Sequence, residues 1–150
     1  GLMGALADAA LAEGGEVIGV IPREMVSREV AHHGCSTLEV VSSMHERKAR
    51  FTELCDGFVT LPGGVGTMDE LWEAVSWAQL GYHARPVGLL NALGYFDGLL
   101  AFTRHMVETG FIRPAHAGII IAEPELDLLL QRMRDREPHT PIFSMKPPAL

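Results

Sequence analysis

Asp56 to Leu80 reads DGFVTLPGGVGTMDELWEAVSWAQL, and its three parts decide the fold class. Asp56 to Leu61 is a short apolar run rich in strand-forming residues, the pattern of a β-strand covered on both faces. Met68 to Leu80 carries Leu71, Trp72, Val75 and Ala78 on one helical face, which predicts an amphipathic helix packed on a sheet. Between them, Pro62-Gly63-Gly64-Val65-Gly66-Thr67 leads straight from strand to helix.

The same alternation extends in both directions. Gly1 to Gly15 has Leu2, Ala5, Leu6, Ala9 and Ala10 at helical spacing and stops at Gly14-Gly15. Glu16 to Pro22 (EVIGVIP) predicts a strand, followed by a polar, His-rich connection, Arg23 to Ser36, and a second strand, Thr37 to Val41. Ser43 to Cys55 predicts a helix. Beyond the central stretch, strands are expected at Pro86 to Leu90 and Gly118 to Ala122, and helices at Tyr95 to Glu108 and Pro124 to Arg136, the last with proline in its first turn. Short strands alternating with helices of three or four turns imply an α/β, Rossmann-like three-layer sandwich, a mostly parallel sheet flanked by helices with right-handed crossovers. Residues 1–136 are read as one domain. The tail, 137–150, with Pro138, Pro141, Pro147 and Pro148, is expected to wrap the surface or fray.

With 150 residues and 47% hydrophobic content, the chain suits one well-buried core. A formal net charge of −7 argues against nucleic acid as a partner, since it leaves no broad surface for a polyanion. It does not exclude a small phosphorylated ligand held by backbone N–H groups. Cys35 and Cys55 cannot build a disulfide framework, which suggests a reducing, cytoplasmic setting. Apolar runs fall short of the ~20 residues a membrane span needs, and no secretion signal is read at the start. His32, His33 and Cys35 match no standard zinc spacing, so no metal site is expected. His83, His105, His116 and His139 are read as surface or capping residues, and Trp72 and Trp77 as core aromatics.

Ligands of such sheets sit beyond the carboxyl ends of the strands, where the glycine turn falls. Its glycines permit close backbone approach, and a helix start presents free N–H groups, so an anion is the fitting guest. The turn is neither a Walker A sequence nor a GxGxxG fingerprint, and it serves equally as a tight turn for close helix–strand packing. Thr67-x-x-Glu70 has the spacing of a capping box. Yet Glu70, a carboxylate near a helix start beside that turn, is also placed for acid or base work. Ser43-x-x-Glu46 repeats the box and is read as structural. Arg47 and Lys48 follow in the first turns of that helix, where positive charge opposes the dipole. They are either a solvated face or partners of an anion.

Met44-His45-Glu46-Arg47-Lys48 together with Pro62-Gly63-Gly64-Val65-Gly66-Thr67-Met68-Asp69-Glu70 resembles the LONELY GUY (LOG) proteins, often labelled "possible lysine decarboxylase". The likeness continues through Trp77-Ala78-Gln79-Leu80-Gly81, Pro86-Val87-Gly88-Leu89-Leu90-Asn91 and Glu108-Thr109-Gly110-Phe111, over nearly all of residues 1–136. It implies a Rossmann-like homodimer that hydrolyses cytokinin riboside 5′-monophosphates, and often AMP, to free base and ribose 5-phosphate without cofactor or metal. The resemblance puts the catalytic pair on Arg47 and Glu70, and phosphate binding on Gly63, Gly64, Val65, Gly66 and Thr67. It puts Lys48, Glu29 and Ser76 near the nucleotide. Decarboxylation by pyridoxal phosphate needs a Schiff-base lysine with a pyridinium partner, and Lys48 and Lys146 are the only lysines. Family members usually carry a further strand, helix and strand before the position of Gly1. A non-catalytic nucleotide- or cofactor-binding module on the same fold is the alternative reading, and a scaffold without phosphate affinity is a third.

Overall fold

The computed structural model describes residues 1–26 and 34–143. They divide into two compact units, the first ending at Cys55 and the second beginning at Asp56. Every strand pairing is parallel, as the strand–helix alternation requires, and helices flank the strands in a Rossmann-like α/β arrangement.

The first unit comprises α1 (Leu2–Ala12), β1 (Ile18–Pro22), α2 (Arg23–Val26), β2 (Thr37–Val41) and α3 (Met44–Leu54). Strand β1 pairs with β2 from Ile18 opposite Thr37 to Pro22 opposite Val41. Val20, Ile21, Val41 and Ala49 are its buried apolar residues. A forked ion pair ties α3 to β2: Arg50 donates from Nε to Glu39 Oε2 at 2.6 Å and from Nη2 to Oε1 at 2.9 Å. That fork, and chiefly its hydrogen bonds, holds the Glu39 carboxyl below its ordinary value. The short helix α2 lies in what the sequence presents as an irregular connection.

The second unit comprises β3 (Phe58–Thr60), α4 (Val65–Leu80), β4 (Val87–Leu90), α5 (Asp97–Glu108), β5 (Ile120–Glu123) and α6 (Leu126–Asp135), with strand order β3-β4-β5. Alternation along β4 sorts the helices into layers. Val87 and Leu89 are fully buried in a cluster with Leu71, Ala74, Val75 and Ala78 of α4, against which Leu99 and Leu100 of α5 also pack. Gly88 faces the other way. A Cβ there would run into Met133 Sδ and come within 3.2 Å of Leu129 Cδ1, so this glycine lets α6 lie close on the sheet. Leu90 and Ile121 share that side with Leu129 and Met133.

Three helix starts differ from expectation by two residues or more, and one of them is α5, which begins at Asp97 and not at Tyr95. Helix α4 begins at Val65, taking in the last three residues of the glycine turn, and α6 begins at Leu126. Pro124 therefore lies before the α6 cap, Glu125, because β5 runs on through Glu123 and delays the helix.

As far as Phe143 the tail lies against the end of α4. Its His139 donates from Nε2 to the Ala78 carbonyl at 2.7 Å, and the Ile142 N–H donates to the Gln79 carbonyl at 2.9 Å. Gly81, at φ 94°, ends α4 in the left-handed conformation that glycine adopts at little cost. Three histidines gather here, and the expectation of surface positions fails for His83 and His116, which are each 6% exposed. His116 donates from Nε2 to the Thr140 carbonyl at 2.9 Å. His83 donates from Nε2 to the Ala74 carbonyl at 3.0 Å and accepts from the Arg85 N–H at 3.1 Å through Nδ1, which fixes a neutral tautomer.

Burial pushes His83 down from 6.5 to about 4. Its bond to Ala74 opposes that shift, while Arg85, His139 and Arg136 add to it. Between these two values the unfolded chain takes up a proton that the folded one refuses. Stability should thus fall as pH drops from 6.5 toward 4. Denaturant unfolding across that window should show a shallower loss in His83→Gln than in the wild type, and equal slopes would contradict the assignment.

Candidate active site

Two helix N-termini carry the residues singled out by sequence, and their caps differ. At α3, Ser43 Oγ accepts from the Glu46 N–H at 3.1 Å. The Glu46 carboxylate turns back to the Ser42 N–H at 2.7 Å and the Ser42 hydroxyl at 2.5 Å. This is the anticipated box with its return bond shifted by one residue, and those bonds hold Glu46 below its ordinary value. Glu46 is therefore structural.

Helix α4 has no such closure. Its cap is Gly64, which offers no side-chain acceptor, and its first turn holds no acidic residue. The first main-chain bond runs from the Met68 N–H to the Gly64 carbonyl at 3.1 Å, so the N–H groups of Val65, Gly66 and Thr67 precede the helical ladder. The capping box read from Thr67 and Glu70 is overturned. With the cap at Gly64, Thr67 is the third helical residue and Glu70 lies in the second turn, beyond reach of the cap N–H.

Thr67 has another task. A Cβ on Gly63 would lie 2.8 Å from Thr67 Cβ and closer still to its hydroxyl, so the threonine occupies space that any larger residue at 63 would need. Gly64 and Gly66 face open space. Val65, at the apex, is 88% exposed. Glu70 is half-buried, one turn or ~6 Å along α4 from Gly66. Ser76 is exposed and lies roughly 14 Å along the axis from Thr67.

The β4–α5 connection supplies a residue that sequence reasoning missed. Tyr95 donates its hydroxyl to the Gly63 carbonyl at 2.8 Å. Leu93 sits beside it at φ 54°, fully exposed, a left-handed conformation that costs a branched side chain about 1–3 kcal/mol. Asn91 holds this bend. Its Oδ1 accepts from the Phe96 N–H at 2.7 Å, and its Nδ2 donates to Asp97 Oδ1 at 2.8 Å.

Arg47 and Lys48 belong to the first unit, on α3, and both are half-buried. Arg47 is not a solvated charge. Its Nε donates to the Val20 carbonyl, in the middle of β1, at 3.1 Å, and its guanidinium lies 4.6 Å over the Phe51 ring. Glu29 lies outside the described residues, as do His32 and His33. No helix among the described residues is long and apolar enough to cross a membrane.

Parallel strands, flanking helices and a glycine turn at the carboxyl edge of β3 define a Rossmann-like α/β protein. Residues 3–133 match the family model described as "possible lysine decarboxylase", and the chain belongs to that family, the one containing the LOG proteins. It is 43% identical over 147 residues to cytokinin riboside 5′-monophosphate phosphoribohydrolase LOG1 of Arabidopsis thaliana, covering 97% of this chain and 69% of the relative. Against the rice (Oryza sativa subsp. japonica) protein named "Probable cytokinin riboside 5′-monophosphate phosphoribohydrolase LOGL9", identity is 46%, over 92% of this chain and 61% of the relative. LOG7 of Arabidopsis thaliana is 42% identical, with 92% and 64% covered. The chain thus spans roughly two thirds or less of the length of most of these relatives.

The glycines can be separated by substitution. Gly63→Ala should destabilise the fold by about 1–3 kcal/mol, because Thr67 fills the space. Gly66→Ala, in open space on a helix, should be neutral or stabilising by up to about 1 kcal/mol. Thermal denaturation of the two variants checks this, and equal melting temperatures would count against the packing role of Gly63.

Proposed function

We propose that this chain hydrolyses the N-glycosidic bond of cytokinin riboside 5′-monophosphates or AMP, releasing free base and ribose 5-phosphate, and does not decarboxylate lysine. The observation that carries the proposal is the 43% identity, along 97% of the chain, to a relative named for that reaction.

In this reading the N–H groups opening α4, at Gly64, Val65, Gly66 and Thr67, hold the 5′-phosphate. They have no side-chain cap and no first-turn carboxylate competing with an anion. The C1′–N9 bond breaks with its electron pair leaving on the base, and positive charge grows on the ribosyl carbon. Glu70 stabilises that charge and takes a proton from the attacking water, whose oxygen bonds to C1′; that proton passes to the nitrogen of the departing base, which restores the carboxylate. Arg47 and Lys48 bring positive charge to the anionic substrate, and Glu29 and Ser76 are the remaining candidates for nucleotide contact. The phosphate, remote from the bond broken, supplies binding energy for orientation. No step calls for a cofactor or metal.

A cytoplasmic homodimer completes the proposal. Leu2, Met3 and Leu6 of α1 and Phe102 of α5 are each more than half exposed, apolar surface that self-association would cover, and both cysteines are free thiols. The second reading is a nucleotide-binding module of the same fold that does not turn its ligand over, a role that the uncapped start of α4 alone would also serve.

The test is release of adenine from AMP and of the free base from isopentenyladenosine monophosphate. Glu70→Gln and Arg47→Ala should each lower turnover by about 10²–10⁴-fold with the fold retained by circular dichroism. Near-normal turnover in both variants removes them from the mechanism, and AMP binding without base release selects the second reading.

A further inference from the structure

The Gly63–Gly64 peptide is the hinge of the turn. Neither residue carries a Cβ, so no side-chain clash fixes which way this peptide faces. In a trans peptide the carbonyl of one residue and the N–H of the next point in opposite directions within one plane. Whatever holds the Gly63 carbonyl therefore also aims the Gly64 N–H, the first of the four N–H groups assigned to the phosphate. That carbonyl accepts from the Tyr95 hydroxyl at 2.8 Å.

Tyr95 is itself held firmly. The Asn91 N–H donates to the Glu123 carbonyl at 2.8 Å, tying the connection to the end of β5. The Asn91 side chain binds Phe96 and Asp97, as described, and closes the bend through Leu93 and Gly94, both at positive φ. Phe96, 2% exposed, anchors the next residue in the core, and the Tyr95 ring meets it edge-on at 5.0 Å. The ring nevertheless lies mostly in solvent, with Tyr95 56% exposed, so its packing does not explain the arrangement. The strained Leu93 and the buried Phe96 have the joint effect of presenting a phenol to one glycine carbonyl.

We propose that Tyr95 is a positioning residue for the phosphate turn: by holding the Gly63 carbonyl it keeps the Gly64 N–H facing the 5′-phosphate and prevents a peptide flip that would present a carbonyl to that anion. The proposal rests on the reading of the turn given above, and it assigns Tyr95 to phosphate affinity, not to cleavage of the glycosidic bond.

The experiment is titration of the 15N-labelled chain with inorganic phosphate, followed at the Gly64 and Gly66 amides, alongside kinetics on AMP. Tyr95→Phe removes the donor and keeps the ring. It should weaken phosphate binding and raise KM for AMP by roughly three- to tenfold, with kcat and melting temperature little changed. Tyr82→Phe, at the only other tyrosine, should behave as wild type. Unchanged phosphate affinity in a folded Tyr95→Phe, or a fall in kcat at constant KM, overturns the role of Tyr95 and leaves the phosphate turn standing. Failure of the wild type to bind phosphate at these amides overturns the turn and the inference together. If Tyr95→Phe unfolds, the Tyr82→Phe chain carrying difluorotyrosine has a single acidified phenol. Phosphate affinity should then drop as that phenol ionises, relative to the unlabelled chain at each pH, and parallel curves overturn the proposal.

Discussion

The missing side chain at Gly63 is the constraint on which the second unit's turn depends. Thr67 fills the space a Cβ would take, so strand β3 passes into α4 without strain only with glycine at this point. The contact also sets the phase of the helix. With Thr67 turned back on Gly63, Leu71, Ala74 and Ala78 follow on the same stripe and enter the core at 2%, 7% and 0% exposure. Glu70 falls on a neighbouring line and remains half-buried. One close approach thus decides which α4 side chains meet the sheet and which remain available for chemistry.

Helices α3 and α4 solve the same end problem in opposite ways. Ser43 and Glu46 satisfy the opening of α3 from within its own sequence, and the carboxylate offsets the helix dipole there. Gly64 satisfies nothing at α4, and no first-turn carboxylate offsets the dipole. An uncapped start is a cost to stability unless something outside the helix supplies the acceptor. In this chain that cost falls beside the turn for which the family relationship gives a phosphate-binding reading.

The parallel α/β fold was legible because it is written in local periodicity: β2 lies at Thr37–Val41, and α3 fills Met44–Leu54 of the expected Ser43 to Cys55, with Ser43 as its cap. The start of α4 was not, since Val65-Gly66-Thr67 has poor helix propensity and is recruited by packing of Thr67 on Gly63. For Arg47, the charge pattern left open a choice between solvent and site, and only the bond to Val20 and the contact with Phe51 remove the solvent option. Tyr95 and Gly63 are 32 residues apart, and His139 and Ala78 are 61 apart; no spacing rule connects such pairs. The faint signals were Asn91 and Gly94 around Leu93, a polar residue and a glycine where a chain must bend sharply.

The C-terminal tail has a bearing on where this protein can be cut or tagged. A boundary drawn after α6, at Arg136, looks harmless because residues 137–143 form no regular element. Yet His139 and Ile142 bond to the carbonyls of Ala78 and Gln79, and Pro141 lies over Gly81. Trimming to that boundary would strip away the outer covering of a helix whose opposite end bears the glycine turn, so an affinity handle belongs beyond Phe143.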